Sequence, residues 1–139
     1  MDKLLIDINI VLEVALDREM DGYSASAMNL IDENKARGLL TATSFSTIYY
    51  LTNKYLDRRK AINVIKDLLE VLQVSTVDEK VLTLALNEKG PDFEDNIQIV
   101  CAQLEKADYI ITRNLSHFKY SSINALSPME YLKTLGLAE

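Results

Sequence analysis

Four acidic residues are of the right type for chemistry on a phosphate ester. Asp92, Glu94 and Asp95 stand together in the stretch DFEDNIQ, before an apolar, helix-like run, and Asp7 ends the apolar stretch KLLID. A metal-dependent nuclease site is a cluster of carboxylates that hold ions, and the ions activate water and stabilise the leaving oxygen. Such chemistry requires Asp7 to lie beside the later acids, although they are far apart in the sequence.

Helix capping explains the same acids without any chemistry. A carboxylate at Asp92 would accept hydrogen bonds from the free N–H groups of the next helix, and Asp95 in its first turn would favour the positive end of the dipole. Asp7 could cap the helix that follows it in the same way. A charge at the end of a buried apolar strand must be paired, capped or bound to a metal, because its burial alone is costly. The sequence leaves both interpretations open.

Length and composition predict one soluble domain that spans residues 1–139. Apolar residues make up 48% and charged residues 26% of the 139-residue chain, as in ordinary folded proteins. The apolar N-terminal run is interrupted by Asp2, Asp7 and Glu13, so we expect neither a signal peptide nor a transmembrane helix. The single cysteine, Cys101, has no partner for an internal disulfide or a cysteine-based zinc site. We therefore expect a cytoplasmic protein.

The net charge of -6 argues against passive binding of nucleic acid, which depends on Lys and Arg contacts to phosphates. Divalent cations at an acidic site could bridge to phosphates, or a local basic cluster could supply the contact. The chain offers one such cluster, formed by Lys54, Arg58, Arg59 and Lys60. A solvated helix end is the simpler interpretation of these four residues.

Short apolar segments alternate with helical patterns along the chain. We predict strands over residues 3–8, 39–43, 73–77 and 109–112. We predict helices over residues 9–17, 24–37, 44–55, 59–72, 78–88 and 128–135, and one more after Asp92, with Gly38 as a helix stop. This alternation predicts a three-layer α/β domain with a central, mainly parallel sheet flanked by helices. Ligands of such sheets bind at the carboxyl ends of the strands, where Asp7 and Asn114 fall.

Three short motifs, taken in order, resemble those of the PIN-domain family over essentially the whole chain. They are D-x-N at Asp7 and Asn9, D-x-E-D-x-x-Q at residues 92–98, and T-R-N at residues 112–114 with Phe118 beyond. The resemblance implies a parallel-sheet α/β fold and a nuclease that depends on Mg²⁺ or Mn²⁺ and usually cleaves RNA. Many bacterial members are toxins held by an antitoxin. A flavodoxin-like or receiver-like domain is an alternative, but the chain lacks a glycine-rich phosphate loop.

The resemblance assigns site roles residue by residue. Asp7 and Asp95 would hold the ion, and Asp92 would assist catalysis directly or through water. Neutral oxygen donors would complete the surroundings of the ion: Asn9, Ser44 and Asn114.

Three positions depart from the usual acidic pattern of the family. Thr47 stands where a second acid is expected early in the helix after the second strand, and Asn114 and His117 also replace acids. Each missing carboxylate weakens the field that binds a hard cation. We therefore expect one ion rather than two.

The roles of two further residues stay open. Arg113 could bind a phosphate or anchor an acidic neighbour, and His117 could be a phosphate-binding cation, a general acid or a surface loop residue, which we favour. Cys101 fits a position in the core. The pair Tyr49–Tyr50 fits a contact in the core or between two copies of the chain.

The resemblance thus implies a metal-dependent endoribonuclease, the toxin of a toxin–antitoxin pair, weakened by the missing acid at Thr47. Its partners would be RNA, an antitoxin protein and a second copy of the chain. The alternative is a catalytically silent PIN-like module that binds RNA or a protein.

Overall fold

A computed structural model describes all residues, 1–139. Five strands form the central sheet: β1 (Lys3–Ile6), β2 (Arg37–Thr41), β3 (Gln73–Ser75), β4 (Tyr109–Ile111) and β5 (Ala125–Leu126). Seven α-helices connect them: α1 (Ile8–Ala15), α2 (Tyr23–Asp32), α3 (Ala42–Tyr55), α4 (Arg58–Val71), α5 (Glu79–Leu86), α6 (Phe93–Leu104) and α7 (Pro128–Thr134). A short 3₁₀ helix, Leu115–Phe118, follows β4.

The sheet has the strand order β3-β2-β1-β4-β5, and all four neighbouring pairs are parallel. The prediction of a parallel α/β sheet flanked by helices is therefore confirmed. Because β1 lies at the centre between β2 and β4, its carboxyl end faces the carboxyl ends of both neighbours. The loops and helices that begin there are the ones that can build a ligand site.

Alternating side chains of the strands build one apolar core on each face of the sheet. Leu4 and Ile6 of β1 pack with α1, α2, α3, α4 and α7 on one face, whereas Leu5 packs with α5 and α6 on the other. The central strand β1 is thus covered on both faces, as buried parallel strands require, whereas two of the three residues of the outer strand β3 are exposed. Cys101 lies buried in the second core, as its apolar neighbours predict.

Most helices begin at a residue whose side chain satisfies a free backbone N–H group. Asp57, Asp78 and Asp92 each cap the helix that follows, with bonds of 2.7, 3.0 and 3.0 Å. Ser127 and Glu130 form the predicted capping box of α7. These caps explain why the predicted starts of α4 to α7 agree with the structure to within a residue or so. No helix of the chain has the length and apolarity that a bilayer crossing requires.

The sequence prediction is wrong around Gly38, which lies within β2 and does not end a helix. The preceding helix ends at Asp32, five residues earlier than predicted. A Cβ at Gly38 would overlap Leu72 and lie 2.7 Å from Cδ1 of Ile31, so the glycine permits close packing of helix and strand. The first strand also ends earlier than predicted, at Ile6, because Asp7 starts the next helix. Strand β5 and the 3₁₀ helix were not predicted.

Candidate functional site

Asp7 lies at the carboxyl end of the central strand and is almost fully buried. It is the N-cap of α1, and its Oδ1 accepts a long hydrogen bond of 3.4 Å from the N–H of Asn9. The hydroxyl of Thr112, at the end of β4, donates to Oδ2 at 2.8 Å. Burial raises the pKa of Asp7, although these hydrogen bonds oppose the shift. Asp7 therefore caps a helix, as the capping interpretation predicts. It also lies at the carboxyl end of a strand, as predicted.

The side-chain amide of Gln98 joins Asp7 to Asp95. Its Nε2 lies 3.3 Å from Oδ1 of Asp7 and 3.5 Å from Oδ1 of Asp95, and its Oε1 accepts the N–H of Ile8 at 3.1 Å. Gln98 is completely buried, so the amide has no water to compensate for a lost partner. Nε2 of Gln98 thus contacts two carboxylates, those of Asp7 and Asp95, that lie far apart in the sequence.

The acids of α6 start that helix beside Asp7. Asp92 caps the helix through the N–H of Asp95, as predicted, and Glu94 and Asp95 occupy its first turn. Burial, followed by repulsion from Asp92 and Asp7, raises the pKa of Asp95 to about 6. The same three causes raise the pKa of Glu94. These carboxylates therefore share a region of uncompensated negative charge.

His117 is an exposed residue of the 3₁₀ helix after β4, and it also lies against the acidic region. The 3₁₀ helix after β4 turns the chain back towards α6, and Nδ1 of His117 lies 3.0 Å from Oδ2 of Asp95. The imidazole is half-exposed. It is the one cationic or potentially cationic side chain within salt-bridge distance of any of the four acids, and it contacts Asp95 alone.

A cleft of about 280 Å³ opens over these residues. Most of the predicted site residues line it, including Thr47, Asn9 and Asn114. Its walls are formed by Ile8, Asn9, Leu12, Thr47, Leu51, Asp92, Glu94, Asp95, Asn114 and His117. The hydroxyl of Thr47 lies 3.5 Å from the backbone carbonyl of Thr43, so this wall of the cleft carries no carboxylate.

Three predicted site residues do not line the cleft. Asp7 is buried and is joined to Asp95 through the amide of Gln98. Ser44 is completely buried and shares a 2.7 Å hydrogen bond with the hydroxyl of Thr41. Arg113 points away from the cleft and binds Asp21 through two 2.7 Å contacts, with Glu13 and Glu19 also within 3.3 Å. Arg113 is therefore an anchor of acidic neighbours, which is one of the two roles that the sequence left open.

Gln98 and Thr112 belong to the motifs described above but were not predicted as site residues. Gln98 and Thr112 hold the two oxygens of Asp7, one on each side. Both residues place a polar side chain on a helix face or strand that is otherwise apolar. This pattern indicates a buried contact with another polar group, because buried polar groups need partners.

The donor chemistry of the cleft fits a hard divalent cation. Carboxylates and amide oxygens are the ligands that Mg²⁺ and Mn²⁺ prefer, and a cation would relieve the repulsion that raises the pKa of Asp95. No three acidic, histidine or cysteine side chains meet closely enough to hold an ion by themselves. Water or substrate oxygens would have to complete the shell, as they commonly do for Mg²⁺.

Comparison with known proteins agrees with the sheet and the motifs. The family model of the PIN domain matches residues 3–116. The chain therefore belongs to the PIN domain family. It is 26% identical over 136 residues to Ribonuclease VapC1 of Aquifex aeolicus, and the match covers 94% of this chain and 93% of that protein.

Solved structures share the fold at low sequence identity. VapBC2 from Rickettsia felis, bound to a DNA fragment from its promoter, matches with a TM-score of 0.71 at 12% identity, over 90% of this chain and 98% of that one. VapC20 from Mycobacterium tuberculosis, a toxin that cleaves the sarcin–ricin loop, matches with a TM-score of 0.62 at 12% identity, over 77% of this chain and 86% of that one.

Proposed function

We propose that this protein is an endoribonuclease that depends on Mg²⁺ or Mn²⁺ and hydrolyses phosphodiester bonds of RNA. The observation that carries the proposal is the meeting of Asp7 and Asp95 on the amide nitrogen of Gln98, at the carboxyl edge of the sheet. This meeting of two carboxylates that are distant in the sequence supports metal-dependent chemistry at the site. The relative from Aquifex aeolicus is named a ribonuclease, and the toxin from Mycobacterium tuberculosis cleaves an RNA loop, which supports the substrate class.

The proposed site assigns a role to each side chain of the cleft. Asp7 and Asp95 would hold the ion, and the chemistry that a bound Mg²⁺ or Mn²⁺ supplies is acidification of a water molecule and stabilisation of the leaving oxygen. Thr112 and Gln98 fix the orientation of the Asp7 carboxylate, since each donates to one of its oxygens.

Other residues of the cleft act around that pair. Asp92 would orient water, Asn9 and Asn114 would offer amide oxygens, and His117 holds the Asp95 carboxylate in place through Nδ1.

Cleavage of a labelled single-stranded RNA, with Mg²⁺, Mn²⁺ or EDTA, tests the proposal. We expect cleavage with either metal and none with EDTA, and we expect the double variant Asp7→Asn/Asp95→Asn to lose activity by several orders of magnitude. The matched control is Asp57→Asn/Asp78→Asn, which alters two helix-capping acids outside the cleft. Asn caps a helix as well as Asp does, so both double variants should fold. Equal activity of the two double variants would contradict the assignment.

A silent module is the second candidate, and Thr47 favours it. The wall of the cleft where the family usually has an acid presents a hydroxyl that faces its own helix. A protein of this kind would bind RNA or a protein partner without cleaving. Absence of cleavage with both metals, together with RNA binding in EDTA, would select this candidate.

We further propose that the protein acts in the cytoplasm as the toxin of a toxin–antitoxin pair, with residues 1–139 as one domain. The solved relatives include toxin–antitoxin complexes bound to DNA, which supports an antitoxin as partner. A homodimer is proposed as well. Co-purification with the product of the adjacent gene, and light scattering of the isolated chain, test these two assignments.

A further inference from the structure

The acidic cleft continues into a basic, aromatic surface along α3. Thr47 and Leu51 line the cleft, and Tyr55 follows on the same face of the helix, because residues four apart in a helix lie one above the other. The rise of about 1.5 Å per residue places Tyr55 about 12 Å from Thr47 along the axis. A short run of nucleotides can span that distance.

Two cations are held at the ring of Tyr55. The guanidinium carbon of Arg18 lies 4.7 Å from the ring centroid, and Nζ of Lys54 lies 5.4 Å from it. Neither cation has a carboxylate within 4 Å, and the Tyr55 side chain is 52% exposed. The positive charges are therefore available to an anion from outside, and the ring keeps them in place without neutralising them.

The two sides of this surface come from the two helices that flank the cleft. Asn9 and Leu12 of α1 and Leu51 of α3 face each other across it, and α1 packs against α3. Arg18 lies in the connection that leaves α1, and Lys54 and Tyr55 end α3. The surface of Arg18, Lys54 and Tyr55, called here the basic rim, is thus the continuation of the cleft.

We propose that the basic rim binds the backbone of single-stranded RNA next to the nucleotide whose phosphodiester is cleaved. This assignment rests on the proposed ribonuclease function. A chain with a net charge of -6, three acids lining its cleft and Asp7 buried beside them repels a polyanion, so it needs local cations to hold one. Cations held beside an exposed aromatic ring suit this role, because phosphates pair with the charges and a base can stack on the ring or on the guanidinium plane.

RNA affinity measured by fluorescence anisotropy in EDTA tests the rim separately from catalysis. A 12-nucleotide single-stranded RNA is titrated with wild type, with Arg18→Gln/Lys54→Gln and with the control Lys35→Gln/Lys106→Gln. Lys35 and Lys106 precede β2 and β4, at the opposite edge of the sheet. Both double variants remove two positive charges, so their net charges are equal, although Lys35 is paired with Glu33 in the control.

We expect the rim variant to bind about tenfold more weakly than wild type, and the control variant to bind as wild type does. The dependence of log affinity on log salt should become shallower by about 1.4 in the rim variant, since each lost phosphate contact on a single strand contributes about 0.7. Tyr55→Leu should also weaken binding, and Tyr55→Phe should restore it, because Phe retains the ring face that holds the cations.

Each other outcome overturns the assignment in a distinct way. Equal affinities of the rim and control variants, with wild type still cleaving RNA, would reject the rim and leave the ribonuclease function standing. Wild type that neither binds nor cleaves RNA would reject both. A rim variant whose particle mass by light scattering differs from that of wild type would show that the rim is an interface between copies of the chain.

Discussion

Nδ1 of His117 lies 3.0 Å from Oδ2 of Asp95, so the only histidine of the chain contacts an acid of the cleft. The contact lowers the pKa of Asp95, but burial and repulsion from Asp92 and Asp7 are stronger and leave it at about 6. The imidazole therefore compensates the negative charge of the cleft only in part. The remainder of that charge should be visible both in stability and in metal binding.

Stability of the metal-free protein should fall as the pH rises from about 4 to about 6. The pKa of Asp95 in the folded protein, about 6, is above its ordinary value of 3.8. Between these values the native state binds more protons than the unfolded state, so the free energy of unfolding decreases with pH. The loss is at most about 3 kcal/mol, at about 1.4 kcal/mol for each pKa unit.

Urea unfolding in EDTA between pH 4 and pH 7 measures this contribution. Asp95→Asn should show a smaller decline than wild type and should be more stable than wild type at pH 7, and the remaining decline comes from Asp7 and Glu94, whose pKa values are also raised. The exposed cap variant Asp57→Asn should keep the full decline. If the free energy of unfolding depends on pH equally in wild type and in Asp95→Asn, the pKa of Asp95 is not raised by its surroundings.

Addition of Mn²⁺ or Mg²⁺ should raise the melting temperature of wild type by several degrees. An ion that binds only the native state stabilises it by about 2.7 kcal/mol at a hundred times its dissociation constant. Asp7→Asn/Asp95→Asn should abolish the rise, and Asp57→Asn/Asp78→Asn should not. A metal response of the first variant equal to that of wild type would leave helix capping as the only role of these acids.

Replacement of Gln98 should destabilise the fold more than its size suggests. Gln98→Met keeps most of the side-chain volume but leaves the N–H of Ile8 without an acceptor and removes one donor from Asp7. An unsatisfied buried group costs about 1–3 kcal/mol. The control is Gln103→Met on the same helix, where the side chain is partly exposed. Equal unfolding free energies of the two variants would mean that the amide bridge contributes nothing.

Much of the site was predictable from the sequence, because its acids follow local rules. Asp7, Asp92 and Asp95 occupy a strand end and a helix start, and both positions follow from apolar patterning and capping preferences. His117 was named as a candidate from the sequence, but its contact with Asp95 was not predictable, because that contact depends on a 3₁₀ helix whose residues carry no periodic pattern. The partners of Arg113 come from α1 and from the connection before α2, and a sequence read one segment at a time does not bring them together.

The error at Gly38 has a physical origin that can be tested. Glycine after a helical pattern usually marks a helix end. Here Gly38 lies in a strand, and glycine fits because Ile31 and Leu72 pack where a Cβ would be. Gly38→Ala should lower the free energy of unfolding by about 1–3 kcal/mol, the usual cost of overpacking. Leu72→Ala in the same chain should remove most of that additional cost, which a double-mutant cycle by urea unfolding would reveal. Additive effects would contradict the overlap.

Thr47 decides whether the cleft is a weakened nuclease or a silent one. Its side chain lines the cleft opposite Asp92 and Asp95 on a separate helix, so Thr47→Glu would place a fourth helix-borne carboxylate at the same opening. A hard cation binds more tightly as carboxylates are added. We therefore expect tighter Mn²⁺ binding by calorimetry and faster Mn²⁺-dependent cleavage of single-stranded RNA.

Thr47→Gln is the matched variant, since it has the same length and no charge. If the site is a weakened nuclease, Glu but not Gln should raise both metal affinity and the cleavage rate, because only the carboxylate strengthens the field at the ion. In a silent module, the added charge would either stay unpaired and lower stability or bind metal without any cleavage. A Thr47→Glu protein that is folded, binds Mn²⁺ and still leaves RNA intact, with an equally inert wild type, would exclude the enzyme and retain the binding module.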